Sequence, residues 1–263
     1  MFKTSALDLW KEECDRVGIA TFCKDLDYAL GSGIPQGMIT ELCGPPGSGK
    51  TQLCLQLSVN VQIPQALGGL EGRVAYLDTN YGFSPQRVQG EVFSSFTQDT
   101  ILNNILYTHV TNYTHVLEAI AVLQNKLYDG EKIRLIVIDS LSFVIRNTIT
   151  RTLERMKCLH EILTQLHKLA HRFGCAVVTT NDVTTQLISE TDGAESQIVP
   201  ALGGSHSHKI NQRIVLGKDD GASDNEQQQD KYVALIEKCH FTPKISIAFR
   251  IENGGIRSVK RKQ

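Results

Sequence analysis

Apolar residues along the chain fall into short continuous runs, separated by longer stretches in which they recur every three to four positions. The runs are MITELC (38–43), RVAYLD (73–78), NILYTHV (104–110), RLIVID (134–139) and CAVVTTN (175–181). RLIVID and CAVVTT are apolar almost throughout, as strands buried on both faces must be. Between the runs, helical spacing predicts helices over 50–62, 85–96, 113–127 and 152–173. Strands alternating with helices imply right-handed crossovers and a mostly parallel sheet, so the predicted fold class is α/β.

The pattern changes after Asn181. Residues 182–209 are polar, contain glycine and show no period, and are predicted to form one long loop. QRIVLG, YVALIEK and ISIAFRIE then read as three strands closed by the turn ENGG, with the polar segment 218–231 as a solvated hairpin tip. Residues 1–36 form an amphipathic lead-in, 37–256 the core, and 257–263 a short basic tail.

Composition narrows the picture. At 41% hydrophobic and 21% charged residues the chain has the makings of an ordinary globular core, and a net charge of -1 restricts any nucleic-acid contact to a local patch. Seven cysteines, odd in number and without CxxC spacing, predict neither a disulfide framework nor a zinc site, but a reducing compartment. No apolar run reaches membrane-spanning length.

The strongest chemical signal is Gly44-Pro45-Pro46-Gly47-Ser48-Gly49-Lys50-Thr51, which matches G-x-x-x-x-G-K-[ST] between a predicted strand and a predicted helix. Glycines let the backbone wrap phosphates with its N–H groups, and the helix N-terminus adds positive potential. Lys50 would neutralise the β- and γ-phosphates of ATP, Thr51 would ligate Mg²⁺, and Gln52 follows in the same helical turn. The strand RLIVID ends in Asp139, on the edge where an α/β sheet binds ligands, so Asp139 would complete the Mg²⁺ site opposite Thr51.

Five motifs in order, GPPGSGKTQLCLQLSVNVQIP, GLEGRVAYLDTNYGFSPQRV, RLIVIDS, CAVVTTNDVTTQ and VPALGGSHSHKINQRI, resemble the RecA-type eukaryotic strand-exchange recombinases. TFCKDLDYALGSGIP and QLCLQLSVNVQIP are most like the C-type paralog within that group. The resemblance runs from about residue 5 to 257. It implies a RecA-like P-loop ATPase core with a C-terminal antiparallel extension of the sheet. It also implies a role in homologous recombination and DNA repair, possibly meiotic, hetero-oligomers with other recombinase paralogs, single-stranded or branched DNA as a further partner, and a nuclear location. The family's helical N-terminal domain has no counterpart before Ser5, and Phe2 is not followed by an FxxA-type segment.

Carried over residue by residue, the resemblance departs from the family at two places. The family's water-positioning Glu is Asn80 here, after matching Tyr76, Asp78 and Thr79, and an amide cannot accept a proton from water. The family's phosphate-sensing Gln is Asp182, whose charge would repel a γ-phosphate. Neither residue is a convincing catalytic group. Arg87 falls where the family packs a guanidinium on adenine, and His208 where it places a phosphate-sensing histidine acting across a subunit interface. A surface arginine and a solvated loop histidine are the alternatives.

The family's first DNA loop would contain Arg146, Arg151 and Arg155, which read equally as a solvated helix face. Its second, 183–204, carries Glu190, Asp192 and Glu195, a poor match for phosphates. Lys260-Arg261-Lys262 reads as a nuclear import signal or as a charged end.

Three functions follow. The first is an ATP-binding paralog that acts as a subunit or mediator, with little or no hydrolysis. The second is a DNA-stimulated ATPase that remodels recombinase filaments. The third is a P-loop small-molecule kinase, which would need an arginine-bearing lid that the sequence lacks.

Overall fold

The computed structural model describes residues 5–88, 97–190, 193–204, 206–219, 231–252 and 254–259. The chain opens with α1 (Ala6–Asp15), started by a reciprocal capping box between Ser5 and Asp8, and α2 (Lys24–Ala29). It continues as β1 (Ile39–Cys43), α3 (Lys50–Asn60), β2 (Arg73–Asp78), α4 (Gln98–Asn103), β3 (Ile105–His109), α5 (Tyr113–Tyr128) and β4 (Ile133–Asp139). Then come α6 (Leu141–Thr148), α7 (Thr152–Phe173), β5 (Ala176–Asn181), β6 (Val183–Glu190) and β7 (Gly193–Pro200). The last four strands are β8 (Gln212–Lys218), β9 (Lys231–Lys238), β10 (Ile245–Glu252) and β11 (Gly255–Ser258).

Among the described residues nine strands form one sheet in the order β11-β10-β9-β8-β1-β5-β4-β2-β3. From β8 to β3 all pairings are parallel, and β9, β10 and β11 extend the sheet antiparallel. Strands β1 and β5 are buried at every position, which explains the apolar and small-polar residues that fill them apart from Glu41. Each face has its own core. One packs α2 and α3 through Leu26, Leu53 and Leu57, and the other packs α5, α6 and α7 through Ile120, Val144, Leu163 and Leu166. Helix α7 presents Leu159, Ile162, Leu163, Leu166 and Leu169 to the sheet at helical spacing, and ends where Gly174 turns left-handed at φ 63°.

Several expectations are corrected. Residues 183–200 are not a loop: β6 and β7 pair antiparallel from Val183↔Pro200 to Glu190↔Gly193, as a two-stranded sheet of their own. The two strands form a ladder outside the nine-stranded sheet. The turn after β10 leads into a fourth strand, β11, which runs to Ser258. The predicted helix over 85–96 begins as a single 3₁₀ turn, Pro85–Arg87, and its remainder from 89 lies outside the described residues. The hairpin tip lies outside them over 220–230, as do the tail triplet Lys260-Arg261-Lys262 and Phe2.

At the end of β1 the chain must pass beneath β8. A Cβ on Gly44 would lie 2.3 Å from the Leu216 carbonyl oxygen and 2.5 Å from Ser48 Oγ, so only glycine fits. Gly44→Ala is expected to cost about 2–3 kcal/mol of stability, because backbone blocks one side of the added methyl. Urea unfolding would check this; a loss below about 0.5 kcal/mol would contradict the close approach.

Candidate nucleotide-binding site

The site lies at the carboxyl ends of β1, β4 and β5. The loop 44–49 leaves β1, and Gly49, left-handed at φ 96°, starts α3. Ser48 N donates to the Pro45 carbonyl, and Gly44 N to the Asn181 carbonyl at the end of β5. Pro45, Pro46 and Gly47 are exposed, whereas Ser48 and Lys50 are buried. The register sets Asp78 beside Asp139 on β2 and β4, and Cys43 beside Asn181 on β1 and β5.

Asp139 is 2% exposed and accepts three hydroxyls: Thr51 Oγ1 at 2.7 Å, Tyr76 OH at 3.0 Å and Thr180 Oγ1 at 2.6 Å. Thr51 and Asp139, paired from the sequence, thus meet directly. Tyr76 and Thr180 join Asp139 from β2 and β5, across 63 and 41 residues, and no motif marks either hydroxyl as its partner. Burial, reinforced by Cys54 and then by Asp139 itself, raises the Tyr76 phenol far above its usual range and keeps it a hydrogen-bond donor. Three donors fix the carboxylate in a single orientation.

These residues fit a nucleoside phosphate with Mg²⁺. Ser48 Oγ is buried inside the loop without a hydrogen-bond partner, and a Cβ on Gly47 would meet nothing within 4 Å, so the cradle is open there. Thr51 and Asp139 can hold a hard cation that keeps phosphate oxygens and waters as its other ligands. Among the described residues no cluster of three or more His, Cys, Asp or Glu side chains offers a cage for a metal by itself.

The loop after β2 explains Asp78. Its carboxylate, fully buried, accepts Asn80 N, Gly82 N, Phe83 N and Tyr107 OH at 3.1–3.3 Å. It shapes its own loop and has no lone pair aimed at the phosphate cradle. Asn80 is exposed. A Cβ on Gly82 would lie 3.1 Å from Asn80 Oδ1 and 3.9 Å from Thr51 Oγ1, so the amide and the Thr51 hydroxyl border one gap that Gly82 keeps free. An amide at that gap cannot take a proton from a hydroxyl or a water.

Arg87 and Gln52 are brought together: Arg87 Nη2 donates to Gln52 Oε1 at 3.0 Å on the exposed flank of α3. Beside them lies a small depression lined by Phe22, Gln56, Asn60 and Gly254. His208 is exposed on the 3₁₀ turn Ser207–Lys209. The histidine that the fold buries is His206, missed from sequence, whose Nε2 lies 2.7 Å from Glu41 Oε1.

The three candidate DNA arginines do not share a loop. Arg146 is exposed near the end of α6, Arg151 is the N-cap residue of α7 and pairs with Glu154, and Arg155 lies in α7. Arg155 is turned inward, with Nε donating to the Ile149 carbonyl and Nη2 to the Arg146 carbonyl. It clamps the α6–α7 link, so of the three Arg146 is the one presented to solvent without such a task. The side chains of Glu190 and Glu195, and all of Asp192, lie outside the described residues.

A P-loop between β1 and α3, the Thr51–Asp139 hydroxyl–carboxylate pair and a parallel sheet extended antiparallel define the RecA-like P-loop fold class. The Rad51 family pattern matches residues 13–259, and the chain belongs to that family. It is 31% identical to DNA repair protein RAD51 homolog 3 of Cricetulus griseus, over 97% of this chain and 72% of that protein. It is 35% identical to the RAD51 homolog 3 of Dictyostelium discoideum, over 81% of this chain and 60% of that protein. Against DNA repair protein RAD51 homolog 2 of Homo sapiens the figure is 31%, over 90% and 68%. The chain thus spans 60–72% of the lengths of these relatives. Its family membership supports a role in homologous recombination and DNA repair, and Rad51-family proteins in general bind ATP with Mg²⁺. Among the described residues no helix is long and apolar enough to cross a membrane.

Proposed function

We propose that the chain is an ATP-binding recombinase paralog that acts as a subunit or mediator of a paralog complex and hydrolyses ATP weakly or not at all. ATP would sit in the loop Gly44–Thr51, with Lys50 on its terminal phosphates, Thr51 and Asp139 on Mg²⁺, and Gln52 and Arg87 on the base side. The bound nucleotide supplies the phosphoanhydride; the protein supplies orientation and charge. The observation that carries the reading is the end of β2. Asp78 is consumed by its own loop, and Asn80 puts an amide where a water would have to be deprotonated. A nuclear location, a mitotic or meiotic setting, and contact with single-stranded or branched DNA through the complex complete the proposal. Arg146 is the described residue best suited to a phosphate backbone, and His208 is exposed as a sensor acting on a neighbouring subunit's nucleotide would need to be.

The test is ATP turnover of the purified chain with and without single-stranded DNA, beside Asn80→Glu. Slow, DNA-insensitive turnover is expected, raised about a hundredfold by Asn80→Glu, the lower end of the gain a positioned general base gives. Fast, DNA-stimulated turnover of the unaltered chain would instead make it a filament-remodelling ATPase. Copurification with other recombinase paralogs is expected, and recovery only as a free monomer would count against the complex.

A further inference from the structure

Lys50 has three N–H donors; two make hydrogen bonds inside the phosphate loop, and the ammonium also forms an ion pair with Asp182. Nζ donates to the Gly44 carbonyl at 2.7 Å and the Pro45 carbonyl at 3.1 Å, and lies 3.2 Å from Asp182 Oδ1. A phosphate that approaches this lysine therefore meets a carboxylate already paired with it. The first two partners are neutral and belong to the phosphate loop itself. The third is a full negative charge, carried by the residue that follows β5.

Asp182 is also held in place. Its Oδ2 accepts Ser142 Oγ at 3.1 Å, and its own N–H donates to that same hydroxyl at 3.1 Å. Its carbonyl accepts Ala201 N at 2.7 Å, closing the base of the β6–β7 hairpin. Backbone and side chain are both tethered, so the carboxylate cannot simply rotate away when a second anion arrives. The Lys50 side chain is 9% exposed and that of Asp182 38%, so solvent screens their mutual field only in part.

We infer that Asp182 is a specificity-determining residue of this site: it occupies Lys50 where a γ-phosphate would, and so disfavours a nucleoside triphosphate relative to the diphosphate. The inference rests on the nucleotide-site reading above. A phosphate-loop lysine reaches the β- and γ-phosphates. The diphosphate needs Lys50 only for its terminal β-group. The triphosphate adds charge beyond it, at the end of the lysine that Asp182 already holds. Like charges brought together in a partly buried site are strongly unfavourable. The chain would therefore hold the diphosphate at least as tightly as the triphosphate, whereas a neutral amide at position 182 would set the preference the other way. Asparagine is the matched probe, because it keeps the shape and the capacity to accept from Ser142 while removing the charge.

The experiment is calorimetric titration of the full chain with ADP and with the non-hydrolysable triphosphate AMP-PNP, both with Mg²⁺. The unaltered chain, Asp182→Asn and Asp182→Gln are compared, and thermal melts establish that each variant is folded. In the unaltered chain ADP is expected to bind at least as tightly as AMP-PNP. Asp182→Asn should strengthen AMP-PNP binding by about tenfold or more and ADP binding by no more than about threefold. An AMP-PNP/ADP affinity ratio that stays within about twofold in the folded variants would overturn the inference. So would a fall in AMP-PNP affinity, which would make Asp182 a partner of the cation instead. Clear preference of the unaltered chain for AMP-PNP would overturn it without any variant. Failure of the unaltered chain to bind either nucleotide is a separate result, since it removes the nucleotide site itself.

Discussion

Glu41→Ala is expected to destabilise the protein by about 3–5 kcal/mol, the usual cost of removing one partner from a buried charge cluster. Glu41 sits in the middle of β1, 1% exposed, with Arg213 Nε and His206 Nε2 on its two carboxylate oxygens and Asn181 Nδ2 at 3.0 Å. Arg213 is 6% exposed, and its other acidic partner, Glu237, lies 3.4 Å away with its side chain 38% exposed. Without Glu41 the guanidinium would stay buried between β1 and β9 with that one weak counter-charge. At a few degrees per kcal/mol, the thermal midpoint should fall by about 10 °C. Glu237→Ala, which removes only the screened partner, should cost no more than about 1 kcal/mol. Equal losses for the two variants would show that the cluster does not work as a buried network.

The same cluster fixes a pH dependence. Burial alone would raise the Glu41 carboxyl, but the His206 hydrogen bond and charge, then Arg213, outweigh it and hold the group at about 2, against 4.5 in the unfolded chain. A carboxyl depressed on folding adds stability above its unfolded value and loses it as pH falls through the folded one. Glu41 should therefore contribute fully above pH 4.5, and its share should vanish between there and about 2. The share is on the order of 3 kcal/mol. Chemical unfolding across that window should show a steep loss for the unaltered chain and a shallower one for Glu41→Gln; parallel curves would show that Glu41 does not carry the acid sensitivity.

Lys50→Ala is expected to weaken nucleotide binding by at least about thirtyfold, since loss of a desolvated cation facing an anion costs about 2 kcal/mol or more. The structure sharpens the expectation. Removing the ammonium also leaves Asp182 unneutralised beside the cradle, so the variant presents phosphate with a negative charge in place of a positive one. Combining Lys50→Ala with Asp182→Asn should recover part of the loss. Direct titration with ADP measures both; affinity within about threefold of the unaltered chain would move the nucleotide away from the loop altogether.

Much of the fold could be read from the sequence, and the reasons are local. The runs ending at Cys43, Asp78, Asp139 and Asn181 are continuous because β1, β2, β4 and β5 are buried on both faces, and burial of that kind writes itself into every residue. The phosphate loop was equally legible, because it is one contiguous segment whose glycines have no other use. The hairpin β6–β7 was not. Its β-branched ends, Val183-Thr184-Thr185 and Ile198-Val199, were the available signal, but the sequence between them shows no apolar period. The loop for the three arginines came from the family resemblance alone, and α6, which begins immediately after β4 under the cap of Ser140, has no signal in the sequence that marks its start.

By itself the sequence determined the alternation that makes the sheet parallel, the loop that can hold phosphates, the family motifs and the two departures from them at Asn80 and Asp182. Those are properties of contiguous residues, and contiguity is all that a single chain records. Only the tertiary structure decided what each polar group is committed to. Asp139 is locked by hydroxyls from three elements, Asp78 is spent on its own loop, His206 rather than His208 is buried on Glu41, and Asp182 holds Lys50. The contacts of Asp139 with Thr51, Tyr76 and Thr180, of Glu41 with His206 and of Lys50 with Asp182 join residues at least 41 positions apart, and such partners meet only once the strands have found their order in the sheet.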